Sequence, residues 1–547
     1  MTSSTRRLPD QRPSRVIIDA VFPEIDDGRF PAKRTVGERF EVTAHIVSDG
    51  HDLVDAVLRL RPEAGGDWAE VHFEALGNDE YRARATARTP GRYRYTVEAW
   101  IDAYRSWATD LERRVMANWD IASELREGAR FVEEAANRAG WPDAERLRVL
   151  AARLADESIP QLERASSALD PEYVALAALY PDRGNAARYD RELPLVIDSE
   201  RARYGTWYEM FPRSQGTDPN RSATFREAAG RLPDIAAMGF DVLYLPPVHP
   251  IGTTKRKGRN NALEAAPGDP GSPWAIGGPE GGHTAVHPDL GTIEDFDWFV
   301  GEARNFGIDV ALDIAFQCSP DHPWVHEHPE WFRHRPDGSI KYAENPPKRY
   351  EDVYPLDFDT EAWESLWTAL LGVFEFWLDH GVKIFRVDNP HTKPFPFWEW
   401  LIGQIKAREP SALFLAEAFT RPKRMQALAK LGFDQSYSYF TWRNSKAEIV
   451  EYFTELTTPP VSEFMRANLF VNTPDILHEY LQVGGRPAFL VRATLAATLG
   501  PTYGIYSGFE LCEGDPVPGT EEYADSEKYQ VKVRDWDAPG NIKAEIS

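Results

Sequence analysis

Cysteine is scarce: Cys318 and Cys512 are the two present in 547 residues. Two thiols exclude a disulfide framework and a cysteine-built metal centre, and they fit a reducing compartment, so the cytoplasm is the expected location. No apolar run approaches the ~18 residues that cross a bilayer. The opening MTSSTRRLPDQRPSRV carries charge and proline without an apolar core, so residues 1–14 read as a disordered tail and not as a secretory signal. Positive charge is also short: 62 Lys and Arg face 86 Asp and Glu, a net charge of −24. Such a surface repels nucleic acid and anionic membranes, and any anionic ligand needs a local basic pocket. Lys255, Arg256, Lys257 and Arg259 make a cluster too small for a nucleic-acid face. No glycine-rich fingerprint follows a strand, and no HExxH spacing occurs. No cofactor and no metal are therefore expected, and His322, His326 and His328 beside Glu327 read as a loop.

What is present falls into three patterns. From about residue 15 to 105 apolar residues alternate with polar ones, as in Phe40, Val42, Ala44 and Ile46 or Tyr93, Tyr95, Val97 and Ala99. Turn signals such as SDG at 48–50 and TPGR at 89–92 cut these runs short, which predicts an Ig-like β-sandwich. Helical spacing over roughly 118–180, as in Leu147, Leu150, Ala151 and Leu154, predicts a helical insert domain at 106–200. From 201 to 547 short apolar runs alternate with amphipathic stretches. Eight candidate strands (205–211, 241–248, 309–316, 382–388, 413–419, 433–439, 467–475 and 502–508) predict a (β/α)₈ TIM barrel. An inserted subdomain is expected at about 318–360, because loops that long are usually functional. After the eighth strand the chain is polar and stops at NIKAEIS, so the eighth helix is expected to be missing.

Barrel chemistry sits at the C-terminal ends of the strands. Polar residues interrupt the apolar runs there at Asp313 and Gln317, Arg386 and Asp388, Glu417, and Asn472 and Asp475. Taken singly, each carboxylate has an ordinary reading as a helix cap or an arginine partner. Taken together, three carboxylates from three strands meet above one barrel mouth. Two carboxylates suit glycosyl transfer: one attacks the anomeric carbon, the other shuttles a proton, and a separation of ~5 Å gives retention. Arg386, two residues before Asp388, shares its face and keeps it ionised. The apolar neighbours of Glu417 raise its pKa, as a proton shuttle requires.

The segments DIAFQCSPDH (313–322), FRVDNPH (385–391), AEAF (416–419) and VNTPD (471–475) resemble, in the same order, the four signature regions of the α-amylase family of glycoside hydrolases. The resemblance covers roughly residues 200–547. It implies Asp388 as nucleophile, Glu417 as acid/base, Asp475 as transition-state stabiliser and Arg386 in support. Gln317 and Cys318 stand where that family usually has Asn and His, and Pro474 stands where a His precedes the last Asp. Those histidines normally bind sugar beside the cleaved bond, so an ordinary starch hydrolase is disfavoured.

The His-less pattern is similar to the bacterial maltosyltransferases of α-glucan synthesis. It is joined by RKGRNN (256–261), GSPWAIGGPEGGH (271–283), AENPPKRYEDVYP (343–355) and EEYADSEKY (521–529). That resemblance implies α-maltose 1-phosphate as donor, an α-1,4-glucan as acceptor, phosphate release through a β-maltosyl-enzyme intermediate, and a homodimer. It places Asn345, Lys348 and Tyr350 near the phosphate. Lys257, Asn261, Gln317, Asn389, Lys528 and Tyr529 would hold the substrate. The family's C-terminal β-domain is expected to be missing. Two rivals stand beside this reading: a hydrolase or glucoside isomerase on the same fold, and a non-catalytic sugar-binding barrel, which the three retained carboxylates disfavour.

Overall fold

The computed structural model describes residues 12–346 and 348–547. Most of the tail expected at residues 1–14 lies outside them. The chain divides into two compact units, one up to Ile197 and one from Asp198.

Alternation builds the first unit. Its strands are β1 (Val16–Phe22), β2 (Ala32–Thr35), β3 (Arg39–Ser48), β4 (Val54–Pro62), β5 (Ala69–His72), β6 (Glu74–Gly77), β7 (Glu80–Thr86) and β8 (Gly91–Ile101). Phe40, Val42, Ala44 and Ile46 of β3 all point into the core, facing Leu58, Tyr95, Val97 and Ala99 from the other sheet. Each large side chain buried this way contributes ~1.5–3 kcal/mol; a charge at Val97 would break the sandwich. Five helices follow, beginning at Ala103–Met116, whose first turn is capped by Asp102 accepting from the Arg105 N–H. They bury Leu111, Leu125, Val132, Leu147, Leu150 and Leu154 in a core of their own. Gly128 is required there, because a Cβ at that position would lie 2.0 Å from the Trp107 ring.

The helices occupy only part of the domain expected at 106–200. They end at Ala178, and the chain returns to the sandwich as β9 (Ala187–Arg188) and β10 (Leu193–Asp198). β10 pairs antiparallel with β8, giving the order β2-β10-β8-β4-β5 beside the sheet β1-β3-β7-β6. The physical reason is period two: Leu193, Leu195 and Ile197 all face the sandwich core.

The second unit is a closed eight-stranded parallel barrel. Its strands begin with β11 (Gly205–Glu209), β12 (Val242–Leu245) and β13 (Asp309–Ile314). The excursion after β13 carries two small ribbons. β14 (Gln317–Cys318) pairs with β17 (Tyr354–Pro355), and between them β15 (Ala343–Asn345) pairs with β16 (Lys348–Tyr350). The barrel continues with β18 (Ile384–Asp388), β19 (Leu413–Glu417), β20 (Gln435–Tyr437), β21 (Ala467–Phe470) and β22 (Thr502–Tyr506), which closes on β11. Each of the eight predicted runs contains one barrel strand. A short helix, Lys543–Ile546, lies beyond β22, where the eighth helix was expected to be missing. Among the described residues no helix is long and apolar enough to cross a membrane.

Parity along the strands decides what reaches the barrel mouth. Phe385 and Val387 pack outward against the helices, with Phe414 and Ala416 of the next strand. Ile384, Leu413 and Leu415 pack inward with Trp207, Tyr244, Ala311 and Phe470. Since side chains alternate, Arg386 and Asp388 follow Ile384 inward, Glu417 follows Leu415, Asp313 follows Ala311, and Glu209 follows Trp207.

Candidate active site

Strand register brings the predicted pair together. Asp388 of β18 lies opposite Glu417 of β19, and Asp313 of β13 lies opposite Arg386. Adjacent strands run ~4.8 Å apart, a spacing close to that of paired carboxylates in retaining glycoside chemistry. Arg386 is 7% exposed and sits among the acids. Its Nη1 donates to Asp313 Oδ2 and to Asp388 Oδ1, both at 2.9 Å, and its Nη2 lies 3.8 Å from Glu417 Oε2. Burial works against this charge, but Asp313, Tyr244, Glu417 and Asp388 outweigh it and hold the guanidinium firmly ionised.

The acids differ in their protons. Burial pushes the Glu417 carboxyl up to about 8, and the Asp388 charge adds to the rise while Arg386 opposes it. Burial likewise raises Asp313 to about 7, with the Tyr244 hydroxyl and the Trp274 indole donating to its Oδ2. Asn389 takes a left-handed conformation, φ 43°, which asparagine tolerates. That turn aims its backbone N–H at Glu417 Oε2, 3.1 Å away.

Above these groups lies a cavity of about 780 Å³. Of the predicted residues, Lys257, Asn261, Gln317, Tyr350, Asp388, Asn389, Asp475, Lys528 and Tyr529 line it. Asp475 comes from the turn after β21 and pairs with the Lys528 ammonium. Burial disfavours that ammonium, but Asp475 more than compensates and raises its pKa. Gln317 is half-committed already, since its amide donates to the Trp274 carbonyl at 3.1 Å. Asn345 and Lys348 stand opposite each other on β15 and β16; their side chains lie outside the described residues. The basic stretch splits four ways: Lys255 faces Glu351, Arg256 donates to the Gly252 and Ile251 carbonyls, Arg259 faces Asp269, and Lys257 is buried at the cavity.

Residues 14–199 match the family model described as α-1,4-glucan:maltose-1-phosphate maltosyltransferase, domain N/S. The chain is 54% identical over 535 residues to the α-1,4-glucan:maltose-1-phosphate maltosyltransferase of Chlorobaculum tepidum, covering 97% of this chain and 79% of that one. It is 55% identical over 526 residues to α-1,4-glucan:maltose-1-phosphate maltosyltransferase 1 of Streptomyces coelicolor, covering 95% and 78%. The chain belongs to the α-1,4-glucan:maltose-1-phosphate maltosyltransferase family. Among solved structures, an α-amylase from Lactobacillus plantarum is 23% identical with a TM-score of 0.47, covering 63% of this chain and 79% of that one.

Other residues at the maltosyltransferase-family site escaped the sequence reading. Trp274 and Lys393 line the cavity. Burial lowers the Lys393 ammonium's pKa, partly offset by Asp388 and Glu417. Glu209 is buried below the mouth, and burial raises its carboxyl well above the usual range. Strand parity with Trp207 would have found Glu209; Trp274 lies within the resembling segment 271–283 without having been singled out, and nothing local marks Lys393. Asn472, singled out with Asp475, is structural: it accepts from the Tyr506 N–H and donates to the Tyr523 hydroxyl, tying β21 to β22.

Cys318 lies with His283 and His322 in a buried group whose ligand atoms fall within 4.8 Å of one another. The hydrogen bonds assign the tautomers. His322 Nδ1 accepts from the Trp324 N–H, His322 Nε2 donates to His283 Nδ1, and His283 Nε2 donates to the Ala315 carbonyl. Every ring nitrogen is thus occupied, and burial holds His283 down at about 4 and His322 at about 2. As arranged, neither ring offers a lone pair to a metal.

Proposed function

We propose that the protein is a retaining maltosyltransferase that moves a maltosyl unit from α-maltose 1-phosphate to the non-reducing end of an α-1,4-glucan and releases phosphate. The observation that carries this reading is the Asp388–Arg386–Glu417 arrangement on adjacent strands, in a chain so similar to named maltosyltransferases. Asp388, hydrogen-bonded by Arg386, attacks the anomeric carbon. The carbon–oxygen bond to phosphate breaks, its electron pair leaves with the phosphate, and a β-maltosyl ester forms. Glu417 gives its proton to the departing phosphate and becomes a carboxylate. It then takes a proton from the acceptor hydroxyl, whose oxygen attacks the anomeric carbon, breaking its bond to Asp388 and freeing the carboxylate. Asp475, fixed by Lys528, would hold sugar hydroxyls as positive charge develops on the ring.

Lys257, Asn261, Gln317, Asn389, Lys528 and Tyr529 would hold the sugar, with Asn345, Lys348 and Tyr350 beside the phosphate. We place the enzyme in the cytoplasm as a homodimer. Free Cys318 and Cys512 support the first, and the exposed Met116, Trp141 and Leu162 on the helical segment support the second. The test is phosphate release from α-maltose 1-phosphate with and without maltohexaose. Acceptor-dependent release, with products two glucose units longer, supports the reading; no release from folded protein would overturn it.

A further inference from the structure

A second cavity, of about 300 Å³, lies in the barrel unit and shares no lining residue with the catalytic one. The loop 270–279 is the wall between them. Pro270, Pro273 and Pro279 face the second cavity, whereas Ser272 and Trp274 face the first. Prolines also supply much of the rest of the lining, at Pro212, Pro246, Pro247 and Pro288. Proline has a fixed φ and no N–H to leave unsatisfied, so such walls are rigid and tolerate dehydration.

Two arginines without acid partners line this cavity. Arg213 is 7% exposed. Its terminal nitrogens donate to the carbonyls of Gly271 and Glu527, at 3.0 and 2.5 Å, and its Nε has no partner. Arg256 donates from Nε to the Gly252 carbonyl at 2.8 Å and from Nη2 to the Ile251 carbonyl at 2.9 Å. Carbonyl dipoles satisfy hydrogen bonds but do not neutralise either charge. Burial lowers Arg213 to about 10, with Glu527 and Tyr506 opposing the shift and the Arg256 charge adding to it. Glu280 and Asp289 also line the cavity and are exposed, with His287 half-buried beside them, while Asp321 acts on Arg256 and Glu527 on Arg213 from outside the lining. Among the described residues neither arginine forms an ion pair. In a chain of net charge −24, two cations that line one cavity without an ion-pair partner make a candidate anion site.

We propose that this cavity is a second ligand site for a small phosphate monoester of a sugar or polyol. The phosphate would sit against Arg213 and Arg256. The hydroxyls of its body would donate to Glu280 and Asp289, over the proline faces. The reaction proposed above is not needed for this inference.

The test is calorimetric titration with glucose 6-phosphate, inorganic phosphate and glucose. Glucose 6-phosphate is expected to bind more tightly than inorganic phosphate, and glucose not at all. Binding should weaken about tenfold or more in Arg256→Gln and be blocked in Ser222→Trp, which fills the cavity from its edge. It should persist in Tyr350→Ala, which alters the catalytic cavity instead. Melting curves confirm that each variant is folded; should Ser222→Trp not fold, Arg256→Gln decides. No heat with glucose 6-phosphate, equal affinity for inorganic phosphate, or binding lost in Tyr350→Ala yet kept in Arg256→Gln would each overturn the site.

Discussion

Asp388 and Glu417 are 13% and 15% exposed, on the ends of adjacent strands that fix their spacing by register. Asp475, proposed to act with them, is 54% exposed on a turn, and its partner Lys528 comes from the loop after β22. The strand-borne pair is positioned by the barrel and answers to one buried arginine. The loop-borne pair is positioned by two segments that meet only when the chain closes. Rigid elements hold reacting groups more closely than loops do, so substitutions at the two should differ in kind as well as size.

The largest effect is expected from Asp388→Asn. The amide keeps the shape but cannot form the ester, and phosphate release should fall on the order of 10⁴-fold or more. Fold loss is not expected, because Arg386 keeps Asp313 as its buried partner. A residual rate within about tenfold of the parent would dismiss Asp388 as nucleophile. Glu417→Gln comes next. Removing an acid/base costs ~10²–10⁴-fold, and phosphate is a good leaving group, so the loss should fall mainly on transfer to the acceptor. Rapid-quench assays should show a phosphate burst with slow chain extension; equal loss in both steps would refute that division. Lys528→Met sharpens the contrast from the loop side. Asp475 loses its anchor while Asp388 and Glu417 keep theirs, so kcat/KM should fall ~10–100-fold through misplacement. Rescue by Lys528→Arg separates lost positioning from lost folding.

The same contrast governs what was legible. Most of the eight barrel strands could be read as short apolar runs, and β18 and β19 announce Asp388 and Glu417 as polar residues at their ends. The strand Leu193–Asp198 was missed because its alternation is brief and follows a long helical stretch. Its membership in the sandwich depends on pairing with β8, far away in sequence. Lys393 carried no local signal, and Trp274 sat within the resembling segment 271–283 without being singled out, since the approach of both to the site is made by loop closure. Cys318 read as the loss of a sugar-binding histidine; its packing beside His283 and His322 depends on the fold of 271–283, which no local pattern reveals.

The smallest effect, a dependence on pH, tests whether Glu417 cycles its proton. In the free enzyme burial and the Asp388 charge keep its pKa near about 8, so at neutral pH the carboxyl is protonated and ready to serve phosphate departure. Once Asp388 is esterified its charge is gone, the Asp388 contribution to that rise vanishes, and Glu417 should titrate lower, as a base needs. Donor cleavage should therefore decline about twofold between pH 7 and 8, while transfer to the acceptor holds its rate. The sign for stability is the same. A carboxyl whose pKa is raised on folding lends stability that is complete below its unfolded value, and this is lost as pH rises through about 8. Glu417→Gln has no such proton to lose, so its melting temperature should fall less than the parent's between pH 7 and 9. Parallel melting of the two proteins across that range would place the Glu417 pKa elsewhere and remove the basis for the cycle.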